Sequence, residues 1–259
     1  MNETIRLTEQ DHFLTVTLSR PQMRNAFDPH MIAELTATFR SVVGRQDLKG
    51  ILLRGEGKAF CAGADLNYMK RMVDFTFEEN QKDADVLYEM YEVIKACHLP
   101  VLAVVQGAAF GGGLGLIAVC DYVIAEEQTQ FCFSEVKLGL VPAVISPFVL
   151  SKVPRGQVAP YMLSGKTFSA AQALQMGLVH EVAIESDLLD SMESMVTRFQ
   201  AAGSHAIAAT KELLAKLPNL TEDQVRGETT HVIAERRAST EGQEGLKSFL
   251  EKRSPAWQK

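Results

Sequence analysis

Three consecutive glycines, Gly111, Gly112 and Gly113, stand between an apolar β-branched run, Val101 to Val105, and a second apolar run, Leu114 to Cys120. The first run reads as a buried strand and the second as a short helix. A strand that passes into a helix through glycine exposes main-chain N–H groups at a helix N-terminus, where they can hold an anion or a developing oxyanion. A glycine-rich packing turn is the alternative. The whole stretch from Val101 to Pro142 then continues through a second strand to one carboxylate, Glu135.

The chain length of 259 residues allows a full core, and a charged fraction of 22% with an apolar fraction of 46% is that of an ordinary globular protein. A formal net charge of −6 argues against nucleic acid or an anionic membrane surface as the main partner. The four cysteines, Cys61, Cys97, Cys120 and Cys132, have no CxxC spacing and the six histidines are scattered, which supports neither a disulfide framework nor a metal site. No leader peptide is visible at MNETIRLTEQD, and glycine or charge interrupts every long apolar run, so a cytoplasmic protein without a membrane span is expected.

Along the chain, alternation over Ile5 to Leu18 predicts a hairpin, and Asp28-Pro29 predicts a capped helix that runs to Gly44. Gly50 to Arg54 reads as a strand, Leu66 to Met72 as a short helix and Phe77 to Ala96 as a longer amphipathic one, with Val86, Met90, Val93 and Ile94 on one side. Ala143 to Val153 and Arg155 to Leu163 read as helices, Ser169-x-x-Gln172 as a capping box, and Gly177 to Val182 as a short strand. From about Leu188 only helical periodicity remains. The expected organisation is an α/β core over residues 1–198 followed by a helical region over 199–259, part of which packs against another subunit.

Two loops share one design. Phe60-Cys-Ala-Gly-Ala-Asp65 follows the Gly50 strand, and Phe110-Gly-Gly-Gly113 follows the Val101 strand. If both strands lie in one sheet, N–H groups from two helix N-termini converge as a two-donor oxyanion hole. A dinucleotide loop fails because GxGxxG would require a small residue where Leu116 stands. A P-loop fails for want of GK[ST], and no GxSxG is present. Glu135 lies in the apolar setting FCFSEVKLGLVP, where burial would raise its pKa toward the range useful for proton transfer; a solvated loop glutamate is the alternative.

These segments together resemble the crotonase, or enoyl-CoA hydratase/isomerase, superfamily. The likeness runs through SRPQMRNAF, FCAGADL, QGAAFGGG, CDYVIA, FSEVKLGLVP, SGKTFSAAQALQMGLVHEV and the terminal EGLKSFLEKR, in that order over almost the whole chain. The resemblance implies a spiral of ββα turns with a C-terminal helical trimerisation region, assembled as a homotrimer or a dimer of trimers. It implies that Ala64 and Gly112 donate the oxyanion hydrogen bonds to a CoA thioester carbonyl, with Gly111 beside them. The CoA moiety would lie near Arg24, Asn25, Ala26, Ala62, Asp65 and Leu66, while Phe249 and Lys252 would reach a neighbouring subunit's CoA. No separate cofactor is implied, because CoA is part of the substrate.

Glu135 takes the place of one of two catalytic glutamates in the family's hydratases, and the other position is Gly115. Single-glutamate members include enoyl-CoA isomerases. NYMKRM and GLVPAVISPFVL, however, resemble the bacterial 3-methylglutaconyl-CoA hydratase subgroup, which also lacks that glutamate. The expectation is therefore a hydratase/dehydratase that uses Glu135 for proton transfer, with the N–H of Ala143 helping to hold the water. A general enoyl-CoA hydratase, a single-glutamate isomerase and an RNA-binding family member are the alternatives. A distal carboxylate on the substrate needs a cation. Lys70 is the first candidate, since it lies one helical turn after Leu66, and Arg71 is the second. Tyr68, Tyr88 and Tyr91 are candidate hydroxyl donors whose alternative is core packing.

Overall fold

In the computed structural model, which describes residues 4–258, the alternating N-terminal segment is an antiparallel hairpin of β1 (Ile5–Gln10) and β2 (Phe13–Leu18). Its two turn residues, Asp11 and His12, both have positive φ, as a tight right-twisting hairpin requires. The chain continues through α1 (Pro29–Ser41), β3 (Gly50–Gly55), α2 (Leu66–Met72) and α3 (Phe77–Lys95). Next come β4 (Val101–Val105), β5 (Ala108–Phe110), α4 (Gly112–Val119), β6 (Tyr122–Glu126) and β7 (Gln130–Cys132). A 3-10 turn over Glu135–Leu138 leads to α5 (Ser146–Leu150), α6 (Arg155–Ser164), β8 (Phe168–Ser169), α7 (Ala170–Met176) and β9 (Glu181–Ala183). Four helices follow, α8 (Leu188–Gln200), α9 (Ser204–Lys216), α10 (Glu222–Ala238) and α11 (Thr240–Leu250).

The strands form two sheets. The larger has the order β1-β2-β3-β4-β6-β9 and the smaller β5-β7-β8. From β4 to α6 one strand enters the larger sheet, the next enters the smaller, and helix returns the chain, so two turns of the spiral are ββα units; the chain then re-enters the smaller sheet at β8 and, after α7, the larger sheet at β9. β4 is buried along its whole length, as its unbroken apolar sequence demands. On the smaller sheet Phe168 of β8 stacks with Phe131 of β7 and with Phe133.

Two compact units are distinguished in the chain. The first holds residues up to Cys97 and Val101–Met192, and the second holds His98–Pro100 and the residues from Glu193 on. The boundary expected at 198/199 falls within α8. Within the second unit, Glu241 on α11 accepts hydrogen bonds from the first N–H groups of α9, His205 at 3.1 Å and Ala206 at 2.8 Å. It thereby supplies a carboxylate cap from another helix. Lys211 donates to the Leu99 carbonyl at 2.8 Å. Among the described residues no helix is long and apolar enough to cross a membrane.

Local signals account for most boundaries. Asp28 caps α1 by accepting from the Met31 N–H, and Ser169 with Gln172 forms the expected reciprocal capping box on α7. Three expectations shift. The helix after Pro142 begins at Ser146 rather than Ala143, because the chain first folds back so that Ala143 N–H meets the Val141 carbonyl. The strand expected over Gly177 to Val182 is confined to Glu181–Ala183, since Leu178 and Val179 both return their N–H groups to Ala173 to close α7. On α3 the buried positions are Met90, Tyr91 and Ile94, while Val86 is exposed.

A buried polar bracket ties the N-terminal segment to the first loop. Arg20 bridges two carboxylates, Asp65 at 2.7 Å and Asp28 at 3.2 Å, and donates to the Ala26 carbonyl at 2.7 Å. Asn25, fully buried and with positive φ, donates to the carbonyls of Glu56 and Ala59 and accepts from Arg20 N–H. Burial would raise the Asp65 pKa, but the Arg20 guanidinium and the N–H groups of Asn67 and Tyr68 outweigh it and hold the carboxyl below its ordinary range. Replacing Arg20 by Ala leaves Asp65, 3% exposed, without its cation. The expected loss is about 3 kcal/mol of stability, read as a lower urea midpoint, since breaking one side of a largely buried pair leaves an uncompensated charge.

Candidate active site

The two loops meet by main-chain pairing. β3 and β4 pair in parallel, and beyond their ends the pairing continues with Phe60 N–H to Gln106 O at 2.9 Å, Cys61 N–H to Ala108 O at 3.1 Å and Phe110 N–H to Cys61 O at 2.9 Å. On its other side the first loop pairs with the N-terminal segment. Ala62 N–H donates to Arg24 O at 3.0 Å, Phe27 N–H to Gly63 O at 2.7 Å and Asp65 N–H to Phe27 O at 2.8 Å. This parallel bridge of Phe27 with Ala64 uses the groups flanking Ala64, so the N–H of Ala64 itself faces away from Phe27.

Gly112 is the first residue of α4, where an N–H has no partner inside the helix. Among the described residues neither Ala64 N–H nor Gly112 N–H donates a hydrogen bond. Gly111 precedes Gly112 with φ +48° and ψ −117°, a conformation that a side chain would strain. The Gly112 position is also closed to side chains, since a Cβ there would lie 2.9 Å from the Phe27 ring and 3.0 Å from the Tyr91 hydroxyl.

The smaller sheet delivers the carboxylate. β5 pairs with β7, and Gly111 N–H donates to Cys132 O at 2.9 Å, which carries Ser134 and Glu135 alongside the glycines. A Cβ on Gly111 would stand 3.3 Å from Glu135 Oε1, so the carboxyl lies against the residue that precedes Gly112. Glu135 opens the 3-10 turn that follows β7. Its Oε2 is buried and has no hydrogen-bond partner among the described residues. Burial raises its pKa above the ordinary glutamate range, with only a hydrogen bond from its own main chain opposing.

Gly115 faces a filled volume. A Cβ there would lie 2.6 Å from Tyr91 Cζ and 2.7 Å from Ile145 Cγ2, so the position that would carry a second glutamate has no room for any side chain. The Tyr91 ring is fully buried and its hydroxyl donates to the Gly112 carbonyl at 2.7 Å. Tyr91 therefore takes the core-packing alternative, with its hydroxyl engaged by a main-chain carbonyl rather than offered to water or a carboxylate.

The remaining candidates divide into two groups. Arg24, Asn25, Ala26, Ala62, Asp65 and Leu66 are brought together by the ladder just described. Their polar side chains differ in direction, because Asn25 and Asp65 are turned inward as brackets while Arg24 is exposed. Lys70 is exposed in the last turn of α2 and Arg71 lies over the Tyr68 ring at 5.7 Å. Tyr68 gives its hydroxyl to Asp83. The Ala143 N–H is not a free donor for water, since Val141 O takes it at 2.7 Å, which corrects the expectation for that group. Phe249 is exposed on α11 and Lys252 follows it with positive φ. Arg20 and Ile145 stand within SRPQMRNAF and GLVPAVISPFVL but drew no role from them, because Asp65 and Gly115, which they meet, lie 45 and 30 residues away.

An enoyl-CoA hydratase/isomerase family model matches residues 8–259. The chain belongs to this family, the crotonases. The enoyl-CoA hydratase ACTT6 of Alternaria alternata is 32% identical over 216 residues, spanning 83% of this chain and 70% of that protein. Among solved structures, an enoyl-CoA hydratase from Shewanella pealeana is 37% identical with a TM-score of 0.93, covering 98% of this chain and 96% of its own. Pseudomonas aeruginosa AtuE is 32% identical with a TM-score of 0.96, covering 99% and 100% respectively. The crotonase fold, with its mixed sheet and many helices, is thereby shown, and with it enoyl-CoA hydratase/isomerase-type chemistry.

Two stability measurements check this geometry. Gly115→Ala is expected to lower Tm, because overpacking costs about 1–3 kcal/mol and exceeds the ~1 kcal/mol gained in helix propensity. Glu135→Gln is expected to raise Tm near neutral pH. A carboxyl whose folded pKa is raised favours folding only while protonated, and that contribution is lost as pH rises through the folded pKa. The gain over the parent therefore shrinks as pH falls through the raised folded pKa and is gone below the unfolded value of about 4.3.

Proposed function

We propose that the chain is a hydratase/dehydratase that adds water reversibly to 3-methylglutaconyl-CoA, giving 3-hydroxy-3-methylglutaryl-CoA. The observation that carries this reading is the single carboxyl of Glu135 against Gly111, with Gly115 filled by Tyr91 and Ile145. The thioester oxygen accepts from Ala64 N–H and Gly112 N–H, which stabilise the enolate as negative charge moves onto it. Glu135 takes a proton from water as the oxygen bonds to C3. One proton is then delivered to the α-carbon of the enolate, by Glu135 itself or by relay from it through water or the substrate's own carboxylate, which completes the addition and returns Glu135 to its carboxylate. In the reverse direction the Glu135 carboxylic acid protonates the departing hydroxyl, a role suited to a pKa raised by burial.

The subgroup segments NYMKRM and GLVPAVISPFVL support the branched dicarboxylic substrate, and Lys70 is the cation proposed for its distal carboxylate. Arg24, Asn25, Ala26, Ala62, Asp65 and Leu66 are proposed to line the CoA moiety, Asn25 and Asp65 through their main chain. We further infer a homotrimer or dimer of trimers in which Phe249 and Lys252 serve a neighbouring copy's CoA. The high exposure of Phe249 and Leu250 supports this assembly. The second reading, a single-glutamate enoyl-CoA isomerase, draws on the same filled Gly115.

Incubation with crotonyl-CoA, 3-methylglutaconyl-CoA and a 3-enoyl-CoA, followed by mass, decides between them. The hydratase gains water fastest on the glutaconyl substrate, whereas the isomerase moves the 3-enoyl double bond without a mass change. Glu135→Gln should lower kcat by roughly 10²–10⁴-fold, the usual worth of general acid–base catalysis. Activity of the parent should fall with acidification as Glu135 protonates, with a midpoint above the ordinary glutamate range. Lys70→Met should raise KM for 3-methylglutaconyl-CoA by roughly 10–100-fold, the worth of one hydrogen bond to a charged group, and leave KM for crotonyl-CoA nearly unchanged. Equal effects on both substrates would remove Lys70 from the pocket.

A further inference from the structure

The Gly112 donor has a built-in weakness. A glycine holds its own peptide planes loosely, yet an oxyanion donor works by being fixed before charge develops. Glycine is nevertheless required there, because the Phe27 ring and the Tyr91 hydroxyl occupy the space of a Cβ. Gly112 and Gly115 are three residues apart and share one face of α4, where they leave a groove. Tyr91 of α3 fills that groove. Its hydroxyl lies at Gly112 and its ring edge at Gly115, with Phe148 tilted behind it at 5.5 Å.

We propose that Tyr91 is a positioning residue for the oxyanion hole: by donating to the Gly112 carbonyl and packing along Gly115, it fixes the first turn of α4 and so the aim of the Gly112 N–H. The proposal rests on the reading of Ala64 and Gly112 as oxyanion donors. Tyr91 is 0% exposed and its proton is already engaged at 2.7 Å, so it acts through the peptide and not on the substrate. Burial, reinforced by nearby Cys61 and by the Glu135 charge, keeps the phenol protonated, so the donor persists across the working range of pH.

The test compares Tyr91→Phe with the parent and with Phe39→Leu, a variant of a buried α1 residue that lowers stability and carries none of the site's groups. Acetoacetyl-CoA serves as the probe, because its enolate absorbs in the near ultraviolet and presents the oxyanion directly; butyryl-CoA, which does not enolise readily, reports CoA binding alone. The expected result has several parts. The parent stabilises the enolate, and Tyr91→Phe weakens acetoacetyl-CoA binding about tenfold while butyryl-CoA affinity stays within twofold. For whichever enoyl-CoA the parent hydrates or isomerises, kcat falls about tenfold with KM little changed. This is smaller than the hundredfold or more expected for losing a donor outright. Phe39→Leu keeps parental enolate binding and kcat even where its Tm is the lower of the two.

Parental enolate binding and kcat in Tyr91→Phe would overturn the proposal, as would losses that simply track Tm in both variants or that affect butyryl-CoA equally. Failure of the parent itself to stabilise the enolate would overturn the oxyanion reading, and this proposal with it.

Discussion

Three main-chain hydrogen bonds, from Phe60 to Gln106, from Cys61 to Ala108 and from Phe110 to Cys61, hold the candidate active site together. They extend a parallel strand pair past its last ladder residue, so two loops that would otherwise diverge stay stitched to each other. Because the stitches are peptide groups, the side chains around them serve closeness rather than recognition. A Cβ on Gly113 would come within 2.8 Å of the Cys61 carbonyl, and this contact sets how near α4 can approach the first loop. The bracket of Arg20, Asn25 and Asp65 secures the same loop from the opposite side. Small residues and buried polar partners thus meet one requirement, holding two peptide N–H groups still.

The two inward-turned acids illustrate opposite uses of burial. Asp65 has a guanidinium and two N–H groups, which outweigh its desolvation and keep it ionised, so its charge is spent on structure. Glu135 has no such company, and an oxygen without a partner is left beside the glycines. That arrangement costs stability when the carboxyl is charged and raises its affinity for a proton. A residue kept in an unfavourable setting by the surrounding fold is what proton transfer near neutral pH requires.

Much of this was legible in the residues. The strand-to-helix glycine junction, the capping signals at Asp28 and Ser169 and the all-helical region after Leu188 depend on neighbours within a few positions, so spacing alone reveals them. The short strands β5, β7 and β8 were not legible, since runs of two or three residues have no period to read and are fixed by pairing with distant segments. The inward direction of Asp65 and Asn25 was hidden for the same reason. Arg20 lies 45 residues from its carboxylate partner Asp65, and no local pattern announces such a pair. Gly115 was visible as a missing glutamate, but what fills its place comes from α3 and from Ile145, which only the packing of helices brings together.

The crowding at Gly115 bears on how chemistries interchange within one fold. A carboxylate cannot enter that position while Tyr91 and Ile145 stand against it, and removing Tyr91 first would take away the hydrogen bond on the Gly112 carbonyl before any new group replaced it. Neither single step leads to a working two-carboxylate site. On the proposed single-acid mechanism, the passage to two-acid catalysis in this chain is therefore epistatic. It needs coordinated change on α3, on α4 and at Ile145, and that coupling shields the single-acid site from drifting one residue at a time.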